Sequence, residues 1–488
     1  MTDFLRGFVE FWDPILLWYF GSLNLFYGIL FALSVFEVAK HWALASKLDL
    51  TERLPEEAFP PVSVVVPAFN EEAVIVPSVD ALLSLDYPSY EVIVVNDDST
   101  DRTLELLSET YDLYEVPPAF THRLETPPVR GYYRSRRDPR LLVVDKAKGP
   151  IATRSAPLNV GINASRYPYC AIIDADTIME PRALRRLTRI MFVDPRPVAG
   201  TGGTIRVANG VRFRGGVPIA PRGPRNWLAS FQVPEYFRAF LFGRLGWNRL
   251  GGNILISGAF GLWQKRLMVA VGGYDEASIA EDLELTLNIH RLLKDRREPY
   301  DVPFVPDPVV WTEVPETIQM LGSQRERWHR GLLGTLFRHW RMFLNPRYGF
   351  IGLLTLPYYV LGEMLAPVVE VTGYGVIAAG LWLGVLNVPH ALLFFALAFG
   401  YQMLLSLGAV WLEYLTFRVY PRARDYARIV VFALLEPLGY RQLTVWWRLK
   451  GFWTFLRDVS SWGSQARKGF ATETGSGGGP GDGAADGG

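Results

Sequence analysis

Between residues 371 and 412 the chain carries no Asp, Glu, Lys or Arg, a charge-free run of 42 residues. A helix rises ~1.5 Å per residue, so ~20 apolar residues cross a hydrocarbon core of ~30 Å. The run has room for two crossings, with a break expected near Asn387, Val388 and Pro389. Residues 14–36 form another charge-free run, of 23 residues. A secretory signal fits it poorly: the preceding segment is weakly basic, the run is too long, and no small-residue cleavage pattern follows. Lys40, Lys47 and Arg53 come next, which puts the residues after them on the cytoplasmic side by the positive-inside tendency. A lipid bilayer, the plasma membrane of the cell, is the first partner this pattern predicts.

Other apolar segments are less regular. Residues 348–369 read as a further span despite Glu363, and residues 429–445 as a weaker one carrying Glu436 and Arg441. If the first crosses along with both halves of 371–412, the basic loop at 418–428 falls outside, against the charge rule. One segment then has to be interfacial or re-entrant. Hydrophobic residues make up 49% of the chain and Trp numbers 15, a composition suited to membrane interfaces. Lys+Arg (50) and Asp+Glu (49) nearly cancel, so there is no basic excess to attract nucleic acid. The single cysteine, Cys170, excludes an internal disulfide framework and a thiolate metal site. It lies in an apolar run, as a buried core thiol would.

Between the membrane segments, residues 60–315 read as an α/β domain. Short apolar runs at 62–66, 91–95, 141–144 and 171–173 look like buried strands, with helical segments at 72–85 and 102–108. Such alternation argues for a mostly parallel, Rossmann-like sheet. Residues 117–140, rich in Pro and Arg, read as a surface excursion. The expected organisation is an N-terminal membrane helix with its flank (1–50), the α/β domain (51–315), interfacial helices (316–347) and C-terminal membrane helices (348–450). A basic or amphipathic flank (451–471) and a Gly-rich disordered tail (472–488) follow.

The chemistry-bearing residues fall where those strands end. Pro67, Asn70 and Glu71 follow the first strand, in a turn that either positions a ligand or simply links strand to helix. Asp97 ends the second; a carboxylate there can accept from a uracil N–H or ribose hydroxyls, or it can cap the next helix. Asp174 and Asp176 leave the strand that contains Cys170. Two aspartates one residue apart can supply the oxygen ligands that Mg²⁺ takes alongside phosphate oxygens, with capping of a helix at 179–181 as the rival reading. Adjacent Glu281 and Asp282 repel, which raises the pKa of one and suits it to general-base work; the alternative is a solvated helix start. Ser257 and Gly258 lie in a small, flexible segment that lets an acceptor approach the backbone, or in a plain loop. Gln324, Arg327 and Trp328 cluster before the membrane region. The arginine could neutralise a leaving diphosphate and the indole could stack on a sugar, or the group could anchor an interfacial helix.

Taken in order, Asp97, Asp174-Ala175-Asp176, Glu281-Asp282 and Gln324-x-x-Arg327-Trp328 resemble the family 2 glycosyltransferases of the GT-A fold. The likeness covers roughly residues 60–450 and is to the membrane-embedded branch: the cellulose, hyaluronan, chitin-oligosaccharide and poly-N-acetylglucosamine synthases. It implies a multi-pass protein with a cytoplasmic GT-A domain, a UDP-sugar donor (UDP-N-acetylglucosamine or UDP-glucose) and Mg²⁺ or Mn²⁺. It further implies a polysaccharide or glycolipid acceptor, with room for accessory export subunits. By the same resemblance Asp97 contacts uridine, Asp174 and Asp176 hold the metal diphosphate, and Asp282 is the base. Gln324, Arg327 and Trp328 hold the diphosphate and the acceptor end. Two departures stand out: Asn96-Asp97-Asp98 replaces the usual Asp-Asp-Gly, and Arg154 stands where the family carries a lysine. The expected activity is inverting transfer onto a growing β-linked polymer coupled to translocation. The rivals are single transfer to a membrane lipid and a non-catalytic receptor that keeps the pocket.

Overall fold

The computed structural model describes residues 2–47, 54–149, 153–457 and 471–472. The expected tail from 473 onward, and most of the expected basic flank (458–470), lie outside them.

Runs of β-branched residues build the centre. β1 (Val62–Ala68), β2 (Tyr90–Asp97), β5 (Leu141–Lys146) and β6 (Tyr169–Ile173) are buried almost throughout. Strands covered on both faces need no polar alternation, which is why they read as continuous apolar runs. They pair in parallel in the order β5-β2-β1-β6. The remaining strands are β3 (Leu113–Glu115), β4 (Val129–Ser135), β7 (Thr177–Met179), β8 (Gly200–Val207), β9 (Arg212–Arg214), β10 (Val217–Ile219), β11 (Phe260–Gln264) and β12 (Phe304–Thr312). The full sheet has ten strands in the order β3-β4-β5-β2-β1-β6-β11-β8-β12-β7, while β9 and β10 form a hairpin outside it that Ala471–Thr472 extend by pairing parallel to β9. Antiparallel β11 between β6 and β8 makes the sheet mixed on that side. The parallel centre flanked by helices is a GT-A fold.

Helices close the faces. α1 (Thr2–Lys47) leads into the domain, and α2 (Ile75–Leu83), α3 (Thr103–Tyr111) and α4 (Ser155–Ala164) follow strands. Every residue of α4 is buried. It sits so close to the sheet that a Cβ at Gly161 would lie 2.2 Å from Val65 Cγ1, so no larger residue fits there.

Several local expectations are corrected. α2 starts at Ile75, not Glu72, because the backbone N–H groups of Asn70, Glu71 and Glu72 donate to Ser99, Thr103 and Asp101 side chains. Those bonds hold the segment outside a helix, with Asn70 at φ 54°. The helix expected to start at 179–181 starts later, at Ala183, because Met179 is the last residue of strand β7. Seven residues of the expected surface excursion, Val129–Ser135, are strand β4, recruited by antiparallel pairing to β5.

Among the described residues three helices are long and apolar enough to cross a membrane: Asp3–Ala43, Ala366–Leu383 and Val388–Thr416. The break between the last two falls at Asn387, whose side chain accepts from the His390 N–H. Residues 350–364 are helical throughout, in abutting π- and α-helical turns, and Leu365 keeps helical dihedrals where they meet helix Ala366–Leu383, which has Pro367 in its first turn. Residues 429–445 are split by non-helical Leu438 and Gly439. The loop after Thr416 returns to the sheet domain: Arg206 lies 4.0 Å from Glu413 and over the Phe417 ring, and Arg428 Nη2 donates to Arg225 O at 2.8 Å.

Candidate active site

Three carboxylates, Asp174, Glu281 and Asp282, and two arginines, Arg154 and Arg327, meet beyond the C-terminal end of β6. Arg154, just before α4, is their hub. Its Nη1 donates to Glu281 Oε1 at 3.0 Å, its Nη2 donates to Gly258 O at 3.0 Å, and the guanidinium also contacts Asp174. Gly258 returns the link: its N–H donates to Asp282 Oδ2 at 3.0 Å. A Cβ at residue 258 would lie 2.3 Å from Arg154 Nη1, so only glycine lets the loop touch the arginine. Asp282 Oδ1 accepts from the Leu283 N–H at 2.8 Å. Both carboxylate oxygens of Asp282 are therefore oriented by backbone donors at the start of helix Glu281–Arg296. That helix start is buried rather than solvated at Glu281, which is 6% exposed.

Charge balance follows. Burial raises the Glu281 carboxyl above its ordinary value; Arg154 opposes this and Asp282 adds to it. Burial works to lower the Arg154 pKa, but Asp174 and Glu281 overcome it and the net shift is upward. Arg327, on helix Ile318–Arg338, is lowered by burial while Glu281, Asp174 and Asp282 pull the other way. It therefore lies within electrostatic reach of all three acids. Asp176 is buried beside Thr177 Oγ1, 3.5 Å from its Oδ1.

Asp97 sits apart, at the end of β2, where it pairs with the buried Lys146 of β5. Burial raises its pKa and Lys146 opposes the rise. The capping alternative goes to a neighbour: Asp101 Oδ1 accepts from the Thr103 N–H at 3.0 Å. Asp98, at φ 57°, contacts Arg130. Pro67 lies within β1, not after it, one residue before its end at Ala68, and Asn70 Oδ1 accepts from the Thr100 N–H at 2.8 Å, tying the β1 and β2 loops together. Ser257 Oγ accepts only a long 3.4 Å bond from the Ala259 N–H. Gln324 Oε1 is buried with no hydrogen-bond partner among the described residues. Trp328 is 45% exposed and carries the Arg325 guanidinium 4.5 Å from its ring centre.

Four participants escape sequence reasoning. Lys146 looks like the end of a strand. Glu276 is raised by burial, with Lys146 and Asp97 both acting on it. Arg244, pushed down to about 10 by burial, senses Tyr359 and Asp282, and its Nη1 has no hydrogen-bond partner among the described residues. Tyr359 opens a polar seam running into the membrane helices. There Tyr358 OH donates to Glu363 Oε1 at 3.1 Å, Arg448 Nη2 pairs with Glu363 at 3.1 Å and Arg441 Nη2 with Glu370 at 2.8 Å. Tyr374 OH donates to Glu370 Oε1 at 2.6 Å. Of these the sequence singled out Glu363 and Arg441, as charges inside apolar segments.

Among the described residues no group of three or more His, Cys, Asp or Glu side chains is arranged to hold a metal ion by itself. Two aspartates leaving a buried strand still fit a cation whose other ligands are phosphate oxygens and water.

A mixed sheet with a parallel centre, with acids, a fixed carboxylate and flanking arginines at its edge, suits the transfer of a sugar from a nucleoside diphosphate. The chain belongs to the glycosyltransferase-like family 2, whose model matches residues 60–331. Over 274 residues it is 29% identical to the probable glycosyltransferase YdaM of Bacillus subtilis (strain 168), covering 56% of this chain and 55% of that one. It is 26% identical over 270 residues to the poly-beta-1,6-N-acetyl-D-glucosamine synthase of Staphylococcus epidermidis, covering 55% of this chain and 54% of that one. It is 28% identical over 349 residues to the beta-monoglucosyldiacylglycerol synthase of Synechocystis sp. (strain PCC 6803), covering 68% of this chain and 63% of that one. The chain thus spans 54–63% of the length of these relatives. Among solved structures it is similar to the mannosyltransferase PcManGT from Pyrobaculum calidifontis in complex with GDP-Man and Mn²⁺. That match has 18% identity and a TM-score of 0.48, and covers 84% of this chain and 99% of that one. It is also similar to S. aureus TarS in complex with UDP-GlcNAc, with 16% identity and a TM-score of 0.40, covering 78% of this chain and 92% of that one.

Proposed function

We propose that this glycosyltransferase moves a sugar from a UDP-sugar, with inversion, onto the end of a β-linked polysaccharide that leaves through the membrane helices. The observation that carries this reading is the orientation of Asp282 by two backbone donors inside the network of Asp174, Arg154 and Glu281. In the reaction the acceptor hydroxyl oxygen bonds to the anomeric carbon of the donor as the carbon–oxygen bond to UDP breaks. The hydroxyl proton passes to Asp282, and the bonding electron pair leaves on the diphosphate. Asp97, with Lys146 beside it, takes the uridine, and the β1 loop at Pro67, Asn70 and Glu71 closes that side. Asp174 and Asp176 would hold Mg²⁺ or Mn²⁺, which when bound neutralises charge on the departing diphosphate. Arg327 adds positive charge at the same place. Gln324 and Trp328, with Ser257 and Gly258, face the acceptor; the unpaired amide oxygen of Gln324 suits a sugar hydroxyl.

Crossing by the three apolar helices keeps the loop at 418–428 on the same side as the sheet domain. That satisfies the positive-inside tendency and makes the domain cytoplasmic. The seam from Tyr359 to Glu370 supports a saccharide path, since rings and paired charges suit sugars and ionisable groups in a membrane line polar routes. A second reading, single transfer to a membrane lipid, is favoured by the longer alignment with the glucosyldiacylglycerol synthase. The test is a screen of UDP-sugars for metal-dependent UDP release by purified protein, with products sized by mass spectrometry. A ladder of hexose additions is expected. A product of one sugar on one lipid would replace the polymer reading, and no release with any UDP-sugar would end both.

A further inference from the structure

A cavity of about 350 Å³ opens between the end of α1 and the sheet domain, and it shares no residue with the carboxylate site. Its basic wall is drawn from distant parts of the chain: Lys40 on α1, Arg186, Arg189 and Arg196 near residues 183–196, and Arg249 after helix Leu245–Asn248. Carboxylates hold most of these in place. Arg189 Nη2 lies 3.2 Å from Asp307 Oδ2, Arg196 contacts Asp301, and Arg249 Nη1 lies 3.7 Å from Glu37 Oε1. Lys40 is exposed and has no ion pair among the described residues. Five Lys and Arg side chains line the cavity with Glu37, Asp194 and Asp301, while Asp307 and Glu180 pair with Arg189 and Arg186 from outside the lining, so the cation left for a ligand is Lys40 on the rim.

The surface above the cavity narrows the choice of ligand. On α1, Leu25, Ile29, Phe36 and Lys40 follow at spacings of four, seven and four residues. At 3.6 residues per turn they share one face. The three apolar members are 68%, 47% and 51% exposed, so in a bilayer that face meets acyl chains. The Arg249 guanidinium lies 4.6 Å over the Phe36 ring, and Trp42, also exposed, marks the headgroup level. A lipid-facing stripe thus ends in a lysine on the rim of a basic cavity.

We propose that this cavity binds the headgroup of an anionic phospholipid. Its phosphate is held by Lys40 and Arg249, and its chains lie along Leu25, Ile29 and Phe36. Lysine and arginine both serve phosphate, one as a point charge and one as a fork. A soluble phosphate would use the same cations but would make no use of the stripe. Binding here ties the sheet domain to α1 on the side away from the acids' network.

The test is native mass spectrometry of the full chain released from nanodiscs of phosphatidylglycerol or of phosphatidylcholine. Wild-type protein is expected to retain one phosphatidylglycerol and no phosphatidylcholine. Lys40→Gln should weaken retention, and Lys40→Gln with Arg249→Gln should weaken it about tenfold or more. Arg136→Gln, a distant exposed cation, should leave it unchanged. Because Lys40 is exposed and unpaired, the single variant should fold, which a thermal midpoint in lipid-free detergent checks. Equal retention by the variants, or equal retention of both lipids, overturns the proposal. So does loss of the adduct to millimolar inorganic phosphate, which would assign the cavity to a soluble anion.

Discussion

At the scale of the residue, the site depends on how one carboxylate is held. Asp282 receives the Gly258 and Leu283 N–H groups, so its remaining lone pairs point in a set direction. Asp282→Asn keeps the shape but cannot take a proton. It should lower sugar transfer by about 10²–10⁴-fold while UDP binding by calorimetry stays close to wild type; undiminished turnover would remove Asp282 from the mechanism. Gly258→Ala tests the hub instead. Its Cβ would lie 2.3 Å from Arg154 Nη1, forcing the arginine or the loop to move. A displacement near 1 Å in such a site costs about 100-fold, so kcat should fall by that order with a small change in thermal midpoint. Asp174 was readable from its place after a strand-like run, and Glu281 and Asp282 as an adjacent pair of acids. The role of Arg154 was only half readable. Its sequence position matched a lysine of the family, whereas its charge is engaged by Asp174 and Glu281, two residues that no local pattern connects to it.

At the scale of the element, helix Ile318–Arg338 carries Arg327 to the acids, and its distance from them is set by Gly331. A Cβ there would stand 2.7 Å from Ala280 Cβ and 3.1 Å from Ala280 N, immediately before helix Glu281–Arg296. Gly331→Val should push the two helices apart. Overpacking of this kind costs about 1–3 kcal/mol, and it should also withdraw Arg327 from the diphosphate side. The expected outcome is a lower thermal midpoint together with a lower kcat. A variant with reduced stability and full kcat would show that the spacing does not matter to Arg327. The central strands were legible because β-branched runs buried on both faces have few other uses. The starts of α2 and of the helix at Ala183 were not, because side chains from another loop, or pairing with β12, captured their backbone groups.

At the scale of the whole molecule, two measurements test the arrangement. The only cysteine, Cys170, is fully buried, so introduced thiols can be labelled on a silent background. Pro389→Cys, between the two C-terminal crossings, should react with an impermeant maleimide on intact cells. Arg424→Cys should react only after permeabilisation. The reverse pattern, or equal labelling, would contradict three crossings with a cytoplasmic domain. Stability should also depend on pH. Burial pushes His290 down to about 4, with its ring bonded to Tyr300 and Asn253 O, and burial with Arg448 pushes His329 down to about 3. The unfolded chain protonates these rings below about pH 6.5, and the folded one resists. The stability present above pH 6.5 is therefore lost as pH falls towards 4, on the order of 3 kcal/mol for His290 over the full window. The thermal midpoint in detergent should drop between pH 7 and pH 5; a flat profile would mean that these rings are not held neutral. The amino-acid sequence alone determined that apolar runs would enter a bilayer, that β-branched runs would form the sheet and that acids would end its strands. Each of those outcomes follows from a local free energy of transfer or backbone preference. Only the tertiary structure decided that residues 429–445 break at Leu438 and Gly439 and that Lys146, Arg244 and Glu276 join the site. It likewise decided that Arg154 binds acids 20 and 127 positions away. Those choices depend on which distant groups meet, and pairing between buried charges has no signature along the chain until it is folded.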